Sequence, residues 1–421
     1  MGATRNLHKQ TPRILALAGL AAVLTAGAAA TQDGGGILLT LGIDQRFSWD
    51  NNPSLEVPST GGSLRSSTKL SFGFVSETAR DRLAFNLGTL LRGESDGSGL
   101  DFGLESPSVE LSYTRSGISS SLTASAFLRE ADLGEGLSLI EGGEGEPPVL
   151  VFEDGATRTK GIRLAYKWGE GAPFGGALRA GLTDTDYRNT TDPDLLDNRT
   201  LTFGAGLRLA LNEVTDATFD IDHRRYDEEG PAVAEDSTTF SAGLTRALPR
   251  GSLRGKLSAT SDEDGTRTSF SFGHSYDLPQ GSLSFDLGLT EAAAGGTDLT
   301  GALAWKQDLP RGSFSAKLSQ AVTNDTDNDE TLVTALSLGL TQELSPLMGL
   351  SMGATWAHSE TTASGLATDS TSLNASINYA LNEDWSMNFG ATHRINDEDG
   401  VGRAKSNSVF LSIGRTFEWR P

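Results

Sequence analysis

Five histidines and no cysteine in 421 residues leave few side chains able to act as nucleophile, base or soft metal ligand. Thiolate catalysis, thiolate metal sites and disulfides are excluded at once. Beyond the first segment the imidazoles are His223, His274, His358 and His393. A histidine base needs a hydroxyl or carboxyl within hydrogen-bond reach, and the adjacent pair His358-Ser359 is the best arrangement in the chain order. Neighbours in an extended strand point to opposite faces, so that pair is no catalytic dyad, and neither an enzyme nor a bound cofactor is expected. Asp325, Asp327 and Asp329 in the run NDTDNDE carry oxygen ligands suited to Ca²⁺. The run lacks the glycine that should follow its third Asp, and Leu336 stands where an EF-hand loop ends on a bidentate Glu, so it is a weak cation candidate. With the acids at 262–264 and 397–399 it is expected to keep surface loops hydrated.

Residues 1–30 differ from everything that follows. Arg5, Lys9 and Arg13 precede the apolar run Ile14 to Leu24, and Ala28-Ala29-Ala30 supplies small side chains, so a secretory leader cut after Ala30 is expected. Its removal leaves 31 cationic against 55 acidic side chains, a net charge of −24. A chain so acidic is not a nonspecific nucleic-acid binder. No later stretch has the roughly 20 unbroken apolar residues of a membrane-crossing helix.

From residue 37 onward the period is two. Ile37, Leu39, Leu41, Ile43, Phe47 and Trp49 alternate with Thr40, Gly42, Asp44, Arg46 and Ser48, the mark of a strand with one apolar face. About 20 such segments (range 18–22) run from 37–49 to 406–419, with a short segment 31–36 ahead of them. Short connections such as 78–82, 115–117, 169–173 and 381–385 interleave with longer ones. One turn recurs as ALPRGS (247–252), DLPQGS (277–282) and DLPRGS (308–313). An even strand number with short turns at one end and longer loops at the other describes a single antiparallel transmembrane β-barrel over 37–419.

The two faces support that reading. Leu, Phe, Val and Ala fill the middle of one face, while the amphipathic aromatics fall near strand ends, as in the girdles that flank a lipid-facing band. Trp49, Tyr187, Tyr226 and Trp356 are assigned to one rim. Tyr113, Tyr166, Trp168, Tyr276, Trp305, Tyr379, Trp385 and Trp419 are assigned to the other. The opposite face is Ser, Thr, Gly, Asn and charge, which must meet water. With the apolar parity outside, the charges expected to line the lumen are Arg46, Lys69, Arg92, Arg163, Lys167, Arg179, Arg208, Arg224, Arg254, Lys256, Lys306 and Lys317, against Asp44, Glu110, Asp220, Asp222 and Asp286. Twelve cations against five acids leave an excess of seven, the pattern of a mildly anion-preferring passage.

The last strand, SVFLSIGRTFEW (Ser408 to Trp419), resembles the C-terminal assembly signal of bacterial outer-membrane barrels, and the chain is loosely similar to porin-like barrels among them. That resemblance implies the outer membrane of a Gram-negative bacterium, with short periplasmic turns and longer extracellular loops. It implies contact with outer-membrane lipid and lipopolysaccharide, and with the barrel-assembly machinery during insertion. The expected function is passive diffusion of small hydrophilic solutes. The alternatives are a secretion conduit for a polymer such as exopolysaccharide, or a closed structural or adhesive barrel. With strand one starting about seven residues after the expected cleavage site, no plug domain is expected and active siderophore uptake is disfavoured. The loop Arg129 to Thr159, rich in acids and in Leu137, Leu139, Ile140, Val149, Leu150, Val151 and Phe152, either folds into the lumen or extends the barrel wall.

Overall fold

The computed structural model describes residues 36–421 apart from position 60 and segments 96–99, 134–137, 141–148, 152–154, 191–194, 231–233, 263–264, 292–295, 325–329 and 362–364. The leader with its cleavage site, Asp325, Asp327, Asp329 and much of the loop 129–159 lie outside the described residues.

The strands are β1 (Gly36–Asp50), β2 (Ser63–Glu77), β3 (Asp81–Ser95), β4 (Leu100–Ser116), β5 (Ser120–Asp132), β6 (Ser138–Ile140), β7 (Val149–Val151), β8 (Ala156–Trp168), β9 (Phe174–Arg188), β10 (Asn198–Asn212) and β11 (Thr215–Glu228). They continue as β12 (Glu235–Leu248), β13 (Gly251–Ser261), β14 (Thr266–Leu278), β15 (Gly281–Glu291), β16 (Thr297–Leu309), β17 (Gly312–Asn324), β18 (Glu330–Ser345), β19 (Met348–Thr361), β20 (Ala367–Ala380), β21 (Trp385–Glu398) and β22 (Gly402–Trp419). The short strands β6 and β7 pair with each other inside the loop 129–159. All the others form one 20-stranded sheet in which sequence neighbours pair antiparallel, and β1 pairs with β22 to close the ring. Closure leaves no sheet edge and satisfies the backbone ladder within the wall.

Both ends of the sheet and every two-residue turn lie at one end of the barrel. Turns there span two to five residues, whereas the other end carries the loops 51–62, 133–155 and 189–197. The recurring turn works because Pro249-Arg250 link Leu248 directly to Gly251. Gly251 sits at φ 121°, and a Cβ there would run into the Ser275 carbonyl. Strands run further at the loop end than the alternation indicates. β4, for example, begins at Leu100, and a bulge at Ser106 (φ 48°) shifts its pairing with β3 between Gly88 and Leu90 and breaks the phase of its alternation.

Burial is inverted relative to a water-soluble domain. Phe203, Phe240, Phe270 and Phe389 on the outer face are 52–58% exposed, while the buried apolar side chains are scattered ones such as Leu55, Leu133 and Val333. Such an outside is stable only against lipid. Twenty strands about 4.8 Å apart and tilted about 40° enclose a ring about 40 Å across between backbones, too wide for wall side chains to fill.

Candidate functional site

The side-chain period of two makes the register decide what lines the lumen. Asp44 pairs with Lys69, Ser125 with Arg163, Ala165 with Arg179, Gly204 with Asp222, and Gly273 with both Arg254 and Asp286. On that register all seventeen charges named for the lumen take the parity opposite to the apolar belt. Their surroundings differ from a row of free charges. Arg179 donates to Asp220 at 3.2 Å and Asp222 at 3.0 Å. Arg254 reaches Asp286 at 2.7 Å, and Arg208 reaches Asp216 at 3.3 Å together with the carbonyls of Gly169 and Ala172. Arg92, 6% exposed, lies 2.9 Å from Glu105. Among the described residues Lys69, Lys167, Lys256, Lys306, Lys317, Arg163 and Arg224 make no ion pair, so the mobile positive charge of the lumen resides there.

The excess of seven positive charges holds for the middle of the wall alone. Glu77, Asp216, Asp277, Asp308, Glu343 and Glu418 share the inward parity at the turn end, and Asp50, Glu105, Glu235, Asp298 and Glu398 share it at the loop end. The passage therefore has acidic mouths around a basic waist. Glu105 was hidden by the bulge, and the turn-end acids by their place beyond the apolar residues that reveal parity.

The waist is uneven around its circumference. Strands β4, β5 and β8 to β11 bring Glu110, Arg129, Arg163, Lys167, Arg179, Asp220, Asp222 and Arg224 to one arc. Across the lumen, the middle of β18 to β22 presents Ser337, Ser351, Thr355, Ser372, Asn374, Ser376, Asn388, Thr392, Ser408 and Ser412, with no charge at that height. Only at its loop end does this second arc hold an ion pair facing inward among the described residues: Arg394 to Asp50 at 3.0 Å, with side chains 8% and 12% exposed. Ser406 donates to Asp50 at 2.6 Å, Arg394 also reaches the Pro53 carbonyl, and Asn52 bonds the Lys405 and Glu56 carbonyls. These bonds pin the loop 51–62 against the inner wall.

A second inward-leaning feature stands about a third of the way round. Leu133, fully buried, packs with Leu195 against Tyr187. Tyr187 pairs with Thr157 and Tyr226 with Thr200, both on the inward parity, so these two tyrosines are corrected from the rim girdle to the inner side. Above the belt the outer surface meets water, and Lys160, Asp184, Asp186 and Arg199 occupy it with cross-strand ion pairs. The apolar side chains there turn inward instead. The roots of the loop 129–159 thus lean over the lumen. The other girdle aromatics keep the outward parity.

The four described histidines, His223, His274, His358 and His393, all face outward. His358 Nδ1 lies 3.2 Å from Asp369, while Ser359 takes the lumen side, so the sheet separates the two. Two lumen features escaped the sequence reading altogether: inward Phe127, beneath Arg163 and Arg129, and inward Phe410, beneath Arg46 at 3.8 Å. Phe127 stands beside outward Leu128, and the glycine that makes room for it lies on another strand, so register was needed to see it.

No family model matches the chain, and no curated protein matches it significantly. Among solved structures, a variant of the ferric enterobactin receptor PfeA of Pseudomonas aeruginosa aligns with 92% of this chain and 81% of its own at 11% identity and TM-score 0.53. The siderophore receptor PirA of the same organism aligns with 92% and 82% at 11% identity and TM-score 0.49. OpdQ, also from Pseudomonas aeruginosa, aligns with 91% of this chain and 99% of its own at 10% identity and TM-score 0.41. The fold shared with the enterobactin receptor, together with the apolar belt and girdle of this chain, makes it a transmembrane β-barrel of the bacterial outer-membrane type.

Proposed function

We propose that the chain is a passive channel for small hydrophilic solutes in the outer membrane of a Gram-negative bacterium, with the turn end in the periplasm. The observation that carries this reading is a closed ring of 20 strands whose inner face is mostly hydroxyl, amide, glycine and charge, with Phe127 and Phe410 as its inward rings. Such a face needs water, and a ring of that size leaves room for it. The unpaired Lys69, Lys256, Lys317 and Arg163 at the waist favour anions, and the acidic mouths oppose them, so the preference for anions is mild. Lipid and lipopolysaccharide surround the belt, the barrel-assembly machinery inserts the chain, and residues 1–30 direct its export.

The test is single-channel recording of the refolded protein in a planar bilayer under a KCl gradient. Stable openings with a small reversal potential of anionic sign are expected. A silent bilayer overturns the channel reading in favour of a closed surface barrel, and a cation-selective reversal potential overturns the role given to the waist. Large conductance that falls even with long polyethylene glycols, which must then enter the lumen, points to a polymer conduit instead.

A further inference from the structure

We infer that Phe127, Arg129 and Arg163 form a binding station for oxyanions, carboxylate or phosphate, on the inner wall, a site whose use in transport rests on the channel reading above. Phe127 faces a water-filled lumen, where a phenyl ring gains little from burial. Its position has a different explanation. Opposite it on β8 stands Gly161, and a Cβ there would come within 2.8 Å of the ring carbon Cζ. The glycine therefore gives the ring a place to lie against the wall. The guanidinium carbon of Arg163 is 4.7 Å from the ring centroid and that of Arg129 is 5.5 Å from it.

An arginine held on an aromatic ring keeps its N–H edges available while losing the freedom of its long side chain, so less entropy remains to be lost when an anion binds. Arg163 is exposed and makes no ion pair among the described residues. Arg129 has a long contact with Glu110 at 3.8 Å. Lys167, four residues along β8 on the same face, adds a further positive charge. The neighbouring Arg179 is taken up by Asp220 and Asp222, a trio with net negative charge that repels an anion toward Arg163. Two guanidinium groups over one ring, facing water, have the donor geometry for the two or three oxygens of a carboxylate or phosphate. The arrangement recurs at β22: Phe410 lies over Gly390, where a Cβ would be 2.6 Å from its ring, beneath Arg46.

The station is tested by isothermal titration of the refolded barrel in detergent with inorganic phosphate at low ionic strength, alongside the bilayer recording. Arg163→Gln is expected to weaken phosphate binding about tenfold, the loss of one charge-assisted contact. Phe127→Leu keeps every charge and is expected to weaken binding about threefold by freeing the guanidinium groups. Arg246→Gln, on the outer face near the turn end, is expected to leave it unchanged. Phosphate binding that survives Arg163→Gln, or that falls equally with Arg246→Gln, overturns the station. Phosphate binding that depends on Arg163 in a barrel that passes no current supports the station while refuting the channel. Current without such binding does the reverse.

Discussion

Two arcs of the same wall, one of β4, β5 and β8 to β11 and the other of β18 to β22, are alike outside and unlike inside. Both turn Leu, Ile, Val and Phe toward lipid with the same period. Inside, the first arc is a lattice of cross-strand charges and the second is hydroxyl and amide. Within the belt lipid constrains every outward position equally, because one polar group there costs free energy, whereas water tolerates any polar residue on the inner side. The lumen is therefore where one part of the barrel is free to differ from another. Net charge over the chain, −21, conceals this, since it averages acidic mouths, a basic arc and a neutral arc.

The arcs also differ in how their ion pairs are built, and this difference predicts the largest effect. Arg394 and Asp50 close the loop end of the neutral arc almost out of contact with water. Arg394→Ala leaves Asp50 buried without its charge partner and is expected to destabilise the barrel by about 3–5 kcal/mol, and to open the loop 51–62 to protease. Arg179→Ala in the charged arc removes a pair 44% exposed on the arginine side, and is expected to cost less than about 1 kcal/mol. Thermal unfolding of both variants in one detergent measures the contrast. Equal losses would show that burial does not separate the two arcs.

How far this asymmetry was readable in the sequence depends on height in the barrel. Within the belt, alternation places Arg163 and Asp286 without help, because each lies between apolar neighbours that must face lipid. Above the belt the rule fails for a physical reason. The outside there is hydrated, so Asp184 and Arg199 face outward and Tyr187 turns in toward Leu133 and Leu195. Glu105 was lost to the bulge at Ser106, where two residues oppose one. Phe127 was missed because its meaning lies in Gly161, more than thirty positions away and set opposite it only by pairing. The Arg394 latch depends on Asp50, at the other end of the chain, and only closure of the barrel brings them together.

A smaller effect tests whether the charged arc governs selectivity. Asp220→Asn combined with Asp222→Asn releases Arg179 from its partners and removes two negative charges from that wall, making it two units more positive. The chloride-over-potassium permeability ratio, read from reversal potentials in a KCl gradient, is expected to rise about twofold. The change is modest because the lumen is wider than the Debye length of about 10 Å at 0.1 M salt. An unchanged ratio would mean that permeating ions do not pass near this arc.

The smallest effect is expected from placing a charge on the neutral arc. Asn374 is exposed and faces the lumen between Gly353 and Thr392, and Asn374→Asp is nearly isosteric, so stability should stay within about 0.5 kcal/mol. If ions follow the charged arc, a carboxylate on the far wall is screened from them at 0.1 M salt. The shift in reversal potential, toward potassium, should then be less than half that of the double variant, although half is what equal influence per charge would give. Lowering the salt to about 0.01 M stretches the Debye length to about 30 Å, comparable with the lumen itself, and the effect per charge on the two walls should converge. A carboxylate at 374 that acts as strongly per charge at 0.1 M as the pair at 220 and 222 would place the ion path along the centre or the neutral side, and the asymmetry of the wall would then have no part in selecting ions.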